Sequence, residues 1–198
     1  ESNLLVSKTL AYVGGLLKVG ETGKKVDKEA ESFIRDHGGI PAFKGYRGFP
    51  ATLCMSLNDA VVHGIPGDKV FVDNDLVSID CGVVLNGFYG DAAFTFAFVN
   101  VSNDAKNLMK VTRESLYKGI EAVLVGNRIG DISYAIQTYC EKVHGYGIVR
   151  ELVGHGVGRN LHEDPEVPNY GLKGKGPMLK EGMVIAIEPM VNMGNKAV

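Results

Sequence analysis

The sequence predicts a mixed α/β fold in which a unit of two helices followed by a sheet segment occurs twice. Helical periodicity with end signals marks four segments: residues 3–18, 27–39, 103–125 and 130–144. Extended apolar runs follow each pair of helices: 76–98 after the first, and 147–153 and 183–191 after the second. No residue-level repeat accompanies this order, so the duplication is one of architecture alone.

Composition limits the class of protein. The chain has 198 residues, 45% of them hydrophobic and 22% charged, which is typical of a globular protein with a substantial core. A net charge of −2 gives no electrostatic case for binding nucleic acid or membranes. The three cysteines are widely spaced, which argues against a disulfide scaffold or structural zinc. Without a signal peptide or a membrane-length apolar run, the chain is expected to be cytoplasmic.

The stretch 76–98 predicts a β-hairpin. Asn86-Gly87 separates two apolar runs, and this dipeptide favours a tight type I′ turn. With these two turn residues, Gly82 faces Asp91 and Asp80 faces Ala93. Asp80 and Asp91 are then diagonal neighbours on one face of the hairpin.

Two acids on one face of an apolar hairpin require an explanation. In one interpretation, one acid accepts backbone hydrogen bonds near a strand end while the other is exposed to solvent. In the other, both carboxylates share a cation, because a buried ionised carboxylate is costly without one. The pair on a single face favours a metal site.

Further candidates lie in loops and in the last apolar run. His63 stands at a sharp turn, and a strand is predicted to end there within residues 60–66. His155 is flanked by glycines that permit close approach to a ligand or metal, and His162 lies in a long loop, 160–181. Glu188 is an acid in an otherwise apolar run. His37 and His144 are helix-end residues with no predicted role in a site.

Three carboxylates and one imidazole on sheet elements suit a divalent cation such as Mn, Fe, Co or Zn. Three rings, Phe43, Tyr46 and Phe49, lie on a loop rich in Gly and Pro. They either cover a core or line an apolar substrate pocket, and the sequence favours neither alternative.

Four motifs together resemble methionine aminopeptidase, type I, in its bacterial form. They are HGIP at 63–66, SIDCGVVLNGFYGDAAFTF at 78–96, GHGVGRNLHEDP at 154–165 and GMVIAIEPM at 182–190. The resemblance covers essentially the whole chain. It implies the pita-bread fold of the creatinase and aminopeptidase group, with two pseudo-symmetric halves (about 1–100 and 101–198) around a dinuclear metal site. The single peptidase catalytic domain would span 1–198.

The same resemblance implies roles for individual residues. The metal ligands would be Asp80, Asp91, His155 and Glu188, with Asp91 bridging two divalent ions (Co, Mn, Fe or Zn). Glu188 would also act as general base. His63 would bind the scissile amide, and His162 would stabilise the substrate carbonyl or oxyanion. The methionine pocket would be lined by Tyr46, Phe49, Cys54 and His63.

The implied reaction is hydrolytic removal of the initiator methionine from nascent chains with a small second residue. The partners would be nascent polypeptides, which the enzyme would bind at the ribosome. The enzyme would be a monomer. Two departures from the family accompany the resemblance. A second bridging glutamate would fall beyond Val198, which implies a C-terminally truncated chain without the final strand region and leaves its activity open. Phe43 and Leu161 replace a small and an aromatic residue, respectively, and could reshape the pocket.

Three other interpretations compete. A prolidase or aminopeptidase P shares the fold but usually carries a large N-terminal domain. A non-catalytic binding protein of this fold would have lost metal ligands, whereas four of five are retained here. A structural metal in an isolated fold unit would leave His63 and His162 unexplained.

Overall fold

The computed structural model describes residues 1–196, so Ala197 and Val198 of the predicted domain lie outside the described residues. The chain forms two compact units. The first comprises Glu1–Ser102 together with Gly158–Leu161, and the second comprises Asn103–Val157 and the chain from His162 onward. That these form one catalytic domain stays a prediction.

Two helices begin the first unit: α1 (Ser2–Leu16) and α2 (Gly23–Asp36). Helix α2 begins four residues earlier than predicted, because Thr22 caps it by accepting a hydrogen bond from the Lys25 amide at 3.3 Å. Ser2 is the first residue of α1 and does not cap it. Its hydroxyl instead donates to the Phe88 carbonyl at 2.9 Å, which ties the start of α1 to the hairpin.

An antiparallel sheet of four strands follows: β1 (Ile40–Pro41), β2 (Leu53–Leu57), β3 (Leu76–Leu85) and β4 (Phe88–Ala97). Strand β3 is central and pairs with the other three. The predicted hairpin register is confirmed, with Leu85 opposite Phe88 and Gly82 opposite Asp91. Both turn residues have positive φ, 54° at Asn86 and 78° at Gly87, as the type I′ turn requires.

The two helices pack on one face of this sheet. Alternate residues of β3 (Val77, Ile79, Cys81 and Val83) are fully buried there with side chains of both helices. Because side chains alternate across a strand, Asp80 and Gly82 point to the opposite face. The hydrophobic core therefore lies on one side of β3, and the acids lie on the other.

The second unit opens with helices α3 (Asn103–Glu121) and α4 (Ile129–Gln137), and a π-helical segment, Thr138–Val143, continues α4. Helix α3 ends four residues before the predicted limit. One core cluster joins both helices to the strands of this unit: Val111, Ile129, Ile132, Ile136, Cys140, Ile148, Val167 and Leu179. None of the helices within residues 1–196 has the length and apolar character needed to cross a bilayer.

Strands in the second unit are shorter than predicted. They are β5 (Gly147–Ile148), β6 (Gly154–Gly156), β7 (Glu163–Val167) and β8 (Val191–Asn192). Strand β7 lies inside the segment predicted to be a loop, and it pairs with β6. The strand predicted at 183–191 is wrong. In this segment only Ile185, which forms a bridge with Gly156, and Val191, which begins β8, have regular strand pairing. Longer pairing is prevented because β6 carries a register shift and because Pro189 has no amide hydrogen to donate.

Asp131 holds the start of α4. Its Oδ2 accepts from the Arg128 amide at 2.8 Å, and its Oδ1 accepts from the Gly174 amide at 2.9 Å. These two backbone hydrogen bonds, the Arg128 bond first, lower the pKa of the Asp131 carboxyl. One carboxylate therefore caps a helix and also anchors the loop that follows β7.

We expect the stability contributed by Asp131 to depend on pH. A folded pKa below the unfolded value means that the contribution is complete above the unfolded pKa and is lost as pH falls through the folded pKa. Asp131→Asn removes the charge and leaves one acceptor oxygen for two backbone amides, so it should lower the free energy of unfolding by about 1 kcal/mol at neutral pH. Urea unfolding of both proteins should show this difference shrinking below about pH 3.9. A difference that does not change with pH would contradict the role of the charge.

Candidate metal centre

The first unit brings Asp80 and Asp91 to one face of the hairpin. Asp91 lies directly opposite Gly82, and Asp80 lies opposite Ala93, so the two acids are diagonal neighbours, as predicted. Both residues are half-buried. A Cβ on Gly82 would lie 2.4 Å from the Phe43 ring, so only glycine at this position allows Phe43 to pack across the strand from Asp91. The acids therefore border an apolar surface.

This apolar surface is a cluster of buried side chains from the first unit: Ala42, Phe43, Cys54 and Leu161, with Tyr46, Phe49, Val84 and Tyr89 packed against it. Three of the predicted pocket residues thus belong to one cluster. Cys54 also pairs across the strands with Asp80, which places the cluster next to that acid. Phe43 and Leu161, the two departures from the family, are both buried in this cluster.

The pKa of Cys54 reflects the burial and negative charge of this face. Burial, followed by the negative charges of Asp80 and Asp91, raises the pKa of its thiol to about 12. The thiol is therefore neutral at physiological pH and behaves as a small apolar group. It suits a pocket wall and not a thiolate ligand.

His63 lies on an exposed segment after β2. The strand predicted at 60–66 is wrong, since β2 ends at Leu57. The predicted sharp turn is present, with His63 at a φ of 58°. Gly64 fastens the turn to β2, because its carbonyl accepts from the Met55 amide at 2.7 Å.

The second unit brings together His155 and Glu188. The imidazole Nε2 lies 3.2 Å from a Glu188 carboxylate oxygen. Two backbone hydrogen bonds between His155 and Ala186, of 3.2 and 2.7 Å, hold the two chain segments side by side. His155 is buried, and Glu188 is half-buried.

The orientation of the His155 ring fits a metal. Its Nδ1 lies 2.8 Å from the Gly156 carbonyl oxygen, which can only accept, so Nδ1 carries a proton. In the neutral imidazole, Nε2 then presents a lone pair to the Glu188 carboxylate, and two lone pairs at 3.2 Å repel each other. A proton or a cation bound by both atoms removes this repulsion. An imidazole fixed through Nδ1–H by a carbonyl is also the usual arrangement of a metal-binding histidine.

His162 joins this pair in the second unit. Its ring is exposed and lies edge-on to the His155 ring, with 4.3 Å between centroids. The predicted ligands and the predicted oxyanion residue of this half are therefore neighbours. Their roles stay predictions.

The glycines around His155 serve a purpose other than the predicted one. A Cβ on Gly154 would lie 2.2 Å from the Ala186 carbonyl oxygen, and one on Gly156 would lie 2.3 Å from that of Asp164. Neighbouring backbone occupies the space that was expected to admit a ligand. Glycine here allows β6 to fit between two chain segments.

Two polar residues near these sites were missed in the sequence. Asp27 accepts hydrogen bonds from the Thr52 and Leu53 amides, at 3.0 and 2.7 Å, and so fixes the start of β2. Asn169 is fully buried, and its Nδ2 donates to the Glu188 carbonyl at 2.7 Å. The sequence carries only weak signals for either, because Asp27 looks like an exposed helical acid and Asn169 like a turn residue.

The whole sequence, residues 1–198, matches the Metallopeptidase family M24. The chain belongs to family M24. The M24 chain is 51% identical over 195 residues to the methionine aminopeptidase of Clostridium acetobutylicum, covering 98% of this chain and 78% of that protein. It is 50% identical over 198 residues to methionine aminopeptidase 1 of Bacillus subtilis, covering 100% of this chain and 79% of that protein.

Among solved structures, the M24 chain resembles a methionine aminopeptidase from Rickettsia prowazekii. The TM-score is 0.95 at 43% identity, covering 98% of this chain and 77% of that one. The predicted resemblance to type I methionine aminopeptidases and the predicted pita-bread fold are confirmed. A metal-dependent peptidase is also confirmed as the class of enzyme. Divalent metal binding is a property of this family, and the ligands of this M24 chain are proposed below.

Proposed function

We propose that this protein removes the N-terminal methionine from nascent proteins and peptides whose second residue is small. The observation that carries the proposal is the pairing of His155 and Glu188 at 3.2 Å in a chain of the M24 family. Relatives about half identical in sequence and named methionine aminopeptidase support the choice of substrate.

Four residues would hold two divalent ions: Asp80, Asp91, His155 and Glu188. Carboxylate and imidazole donors suit Mn, Fe, Co or Zn. Asp91 would bridge the two ions. When bound, the ions supply Lewis acidity that makes water a better nucleophile at neutral pH.

The residues of the chain would then handle protons and orientation. The Glu188 carboxylate accepts a proton from the attacking water and later returns it to the leaving amine. An N–H of His162 donates to the substrate carbonyl oxygen as negative charge develops there, and His63 binds the scissile amide. The apolar cluster around Tyr46, Phe49 and Cys54 would receive the methionine side chain.

The remaining assignments complete the proposal. One catalytic domain would act as a monomer in the cytoplasm, on chains emerging from the ribosome and without binding nucleic acid. Three buried thiols, Cys54, Cys81 and Cys140, suit the reducing conditions of that compartment.

Methionine release from Met-Ala-Ser tests the function. We expect EDTA to abolish turnover and Mn, Co or Fe to restore it. Leu-Ala-Ser should be cleaved about 10- to 100-fold more slowly, the range that an apolar pocket can discriminate. Preferred hydrolysis of Leu-Pro would indicate a prolidase, and metal binding without any turnover would indicate a binding protein. Either result would overturn the proposal.

A further inference from the structure

Glu188 lies where regular backbone pairing is interrupted. Ala186 exchanges two backbone hydrogen bonds with His155, and pairing resumes where the Val149 amide donates to the Met190 carbonyl at 3.1 Å. Glu188 lies between Ala186 and Met190, and no backbone amide of the described residues donates to its carbonyl. The backbone ladder alone does not hold the peptide that carries this carboxylate.

The Asn169 side chain takes the place of the missing donor. Its Nδ2 donates to the Glu188 carbonyl oxygen at 2.7 Å, and the residue is 0% exposed. Glu188 precedes Pro189, which restricts it to an extended conformation. With φ and ψ limited by the proline and the carbonyl direction set by Asn169, the Cα–Cβ bond of Glu188 has one direction. That bond sets the point from which the Glu188 carboxylate reaches His155, 3.2 Å from Nε2.

Asn169 is itself held from both sides. It follows β7, which pairs with β6, and the next residues are tied to the rest of the second unit. The Gly171 amide donates to the Gln137 side chain at 3.1 Å, and the Arg150 guanidinium lies 4.3 Å from the centre of the Tyr170 ring. The backbone that carries the Asn169 side-chain amide is therefore held in place by contacts on both sides.

Packing alone does not explain an asparagine at this position. Its Oδ1 is buried and has no hydrogen-bond partner among the described residues. A buried acceptor without a partner lowers stability, and a leucine of similar volume would avoid that cost. The Nδ2 bond to Glu188 is the contact that a leucine could not make.

We propose that Asn169 is a positioning residue that sets the direction of Glu188 for metal binding and proton transfer. This inference rests on the proposed function, in which Glu188 is a metal ligand and general base. Outer-shell hydrogen bonds of this kind affect metal affinity and activity by about 10- to 100-fold.

The test compares Asn169→Ala and Asn169→Leu with a matched control, Asn127→Ala. Asn127 lies in the same unit, and its Nδ2 also donates to a backbone carbonyl, that of Ala122, at 3.0 Å. Titration calorimetry of the full chain with Mn²⁺ alone should give about 10- to 100-fold weaker binding for both Asn169 variants. Binding by Asn127→Ala should be unchanged. Thermal unfolding of each variant measures its structural cost, and kcat should fall more than KM changes in both Asn169 variants.

The outcomes separate the two proposals. Wild-type Mn²⁺ affinity in Asn169→Leu, or an equal loss in Asn127→Ala, overturns the role of Asn169. Asn169→Leu keeps the side-chain volume, so it decides the matter if the alanine variant fails to fold. Glu188→Gln is measured in parallel. If it binds Mn²⁺ like the wild type, the ligand assignment in the proposed function fails instead.

Discussion

Asp91→Asn is expected to weaken Mn²⁺ binding by more than about 100-fold, because loss of a proposed ligand should cost more than loss of a hydrogen bond to a ligand. The Asp91→Asn substitution preserves the shape of the side chain but removes the negative charge with which Asp91 would bind cations in the proposed site. Asp91 stands at a regular position of β4, opposite Gly82, so the hairpin should fold without it. Calorimetry with Mn²⁺ and methionine release from Met-Ala-Ser measure the effect.

Two comparisons sharpen this result. Asp68→Asn removes a charge from the same unit at an exposed site, where Asp68 pairs with Lys24 at 3.3 Å, and should leave metal affinity unchanged. His162→Ala should mainly lower turnover, because His162 is assigned to the substrate carbonyl. If Asp91→Asn and His162→Ala bind Mn²⁺ equally well, the assignment of roles is wrong.

Gly154→Ala should disrupt the second half of the site. The new Cβ would lie 2.2 Å from the Ala186 carbonyl oxygen, and a backbone atom cannot yield as a flexible side chain can. Segment 186–188 must therefore separate from β6, which moves Glu188 away from His155. We expect a loss of stability of about 1–3 kcal/mol, as for overpacked cores, together with weaker Mn²⁺ binding.

Gly194→Ala is the control for Gly154→Ala, because a Cβ on Gly194 would have no atom within 4 Å. Thermal unfolding and Mn²⁺ titration of both variants provide the comparison. Wild-type stability and affinity in Gly154→Ala would show that the close approach of β6 to residue 186 has no part in the site.

The first half of the site could be predicted from the sequence because its geometry is local. Asn86-Gly87 is a strong turn signal, and once the turn is placed, the period of two along each strand determines which residues face one another. The register of all ten pairs and the shared face of Asp80 and Asp91 follow from that turn. The identity of the cation does not follow, because carboxylates bind many divalent ions.

The second half could be predicted only in part, because distant backbone segments determine it. His155 and Glu188 stood out as unusual residues, but the strands around them are short and irregular. Strand β7 was missed because Glu163, Asp164 and Pro165 are all unfavourable in strands. The role of Asn169 depends on a contact with a residue 19 positions away, which no local pattern reveals.

The apolar cluster shows a third limit. Phe43, Tyr46 and Phe49 could equally have covered a core or lined a pocket. Their grouping with Cys54 depends on Gly82, whose missing side chain admits the Phe43 ring. The fit of the Phe43 ring against Gly82 results from tertiary packing. It cannot be predicted from the local sequence around either residue.

The two-residue turn at Asn86-Gly87 also determines which genetic changes the hairpin can accept. Substitutions in the turn leave the count of residues between the two acids intact. Deletion or insertion of one codon there would slip β4 by one position against β3, and each side chain of β4 would then exchange faces. Asp91 would turn toward the helices while Asp80 stayed in place. A change in the length of this turn is therefore expected to disturb the pairing of Asp80 and Asp91 more than a substitution within the turn.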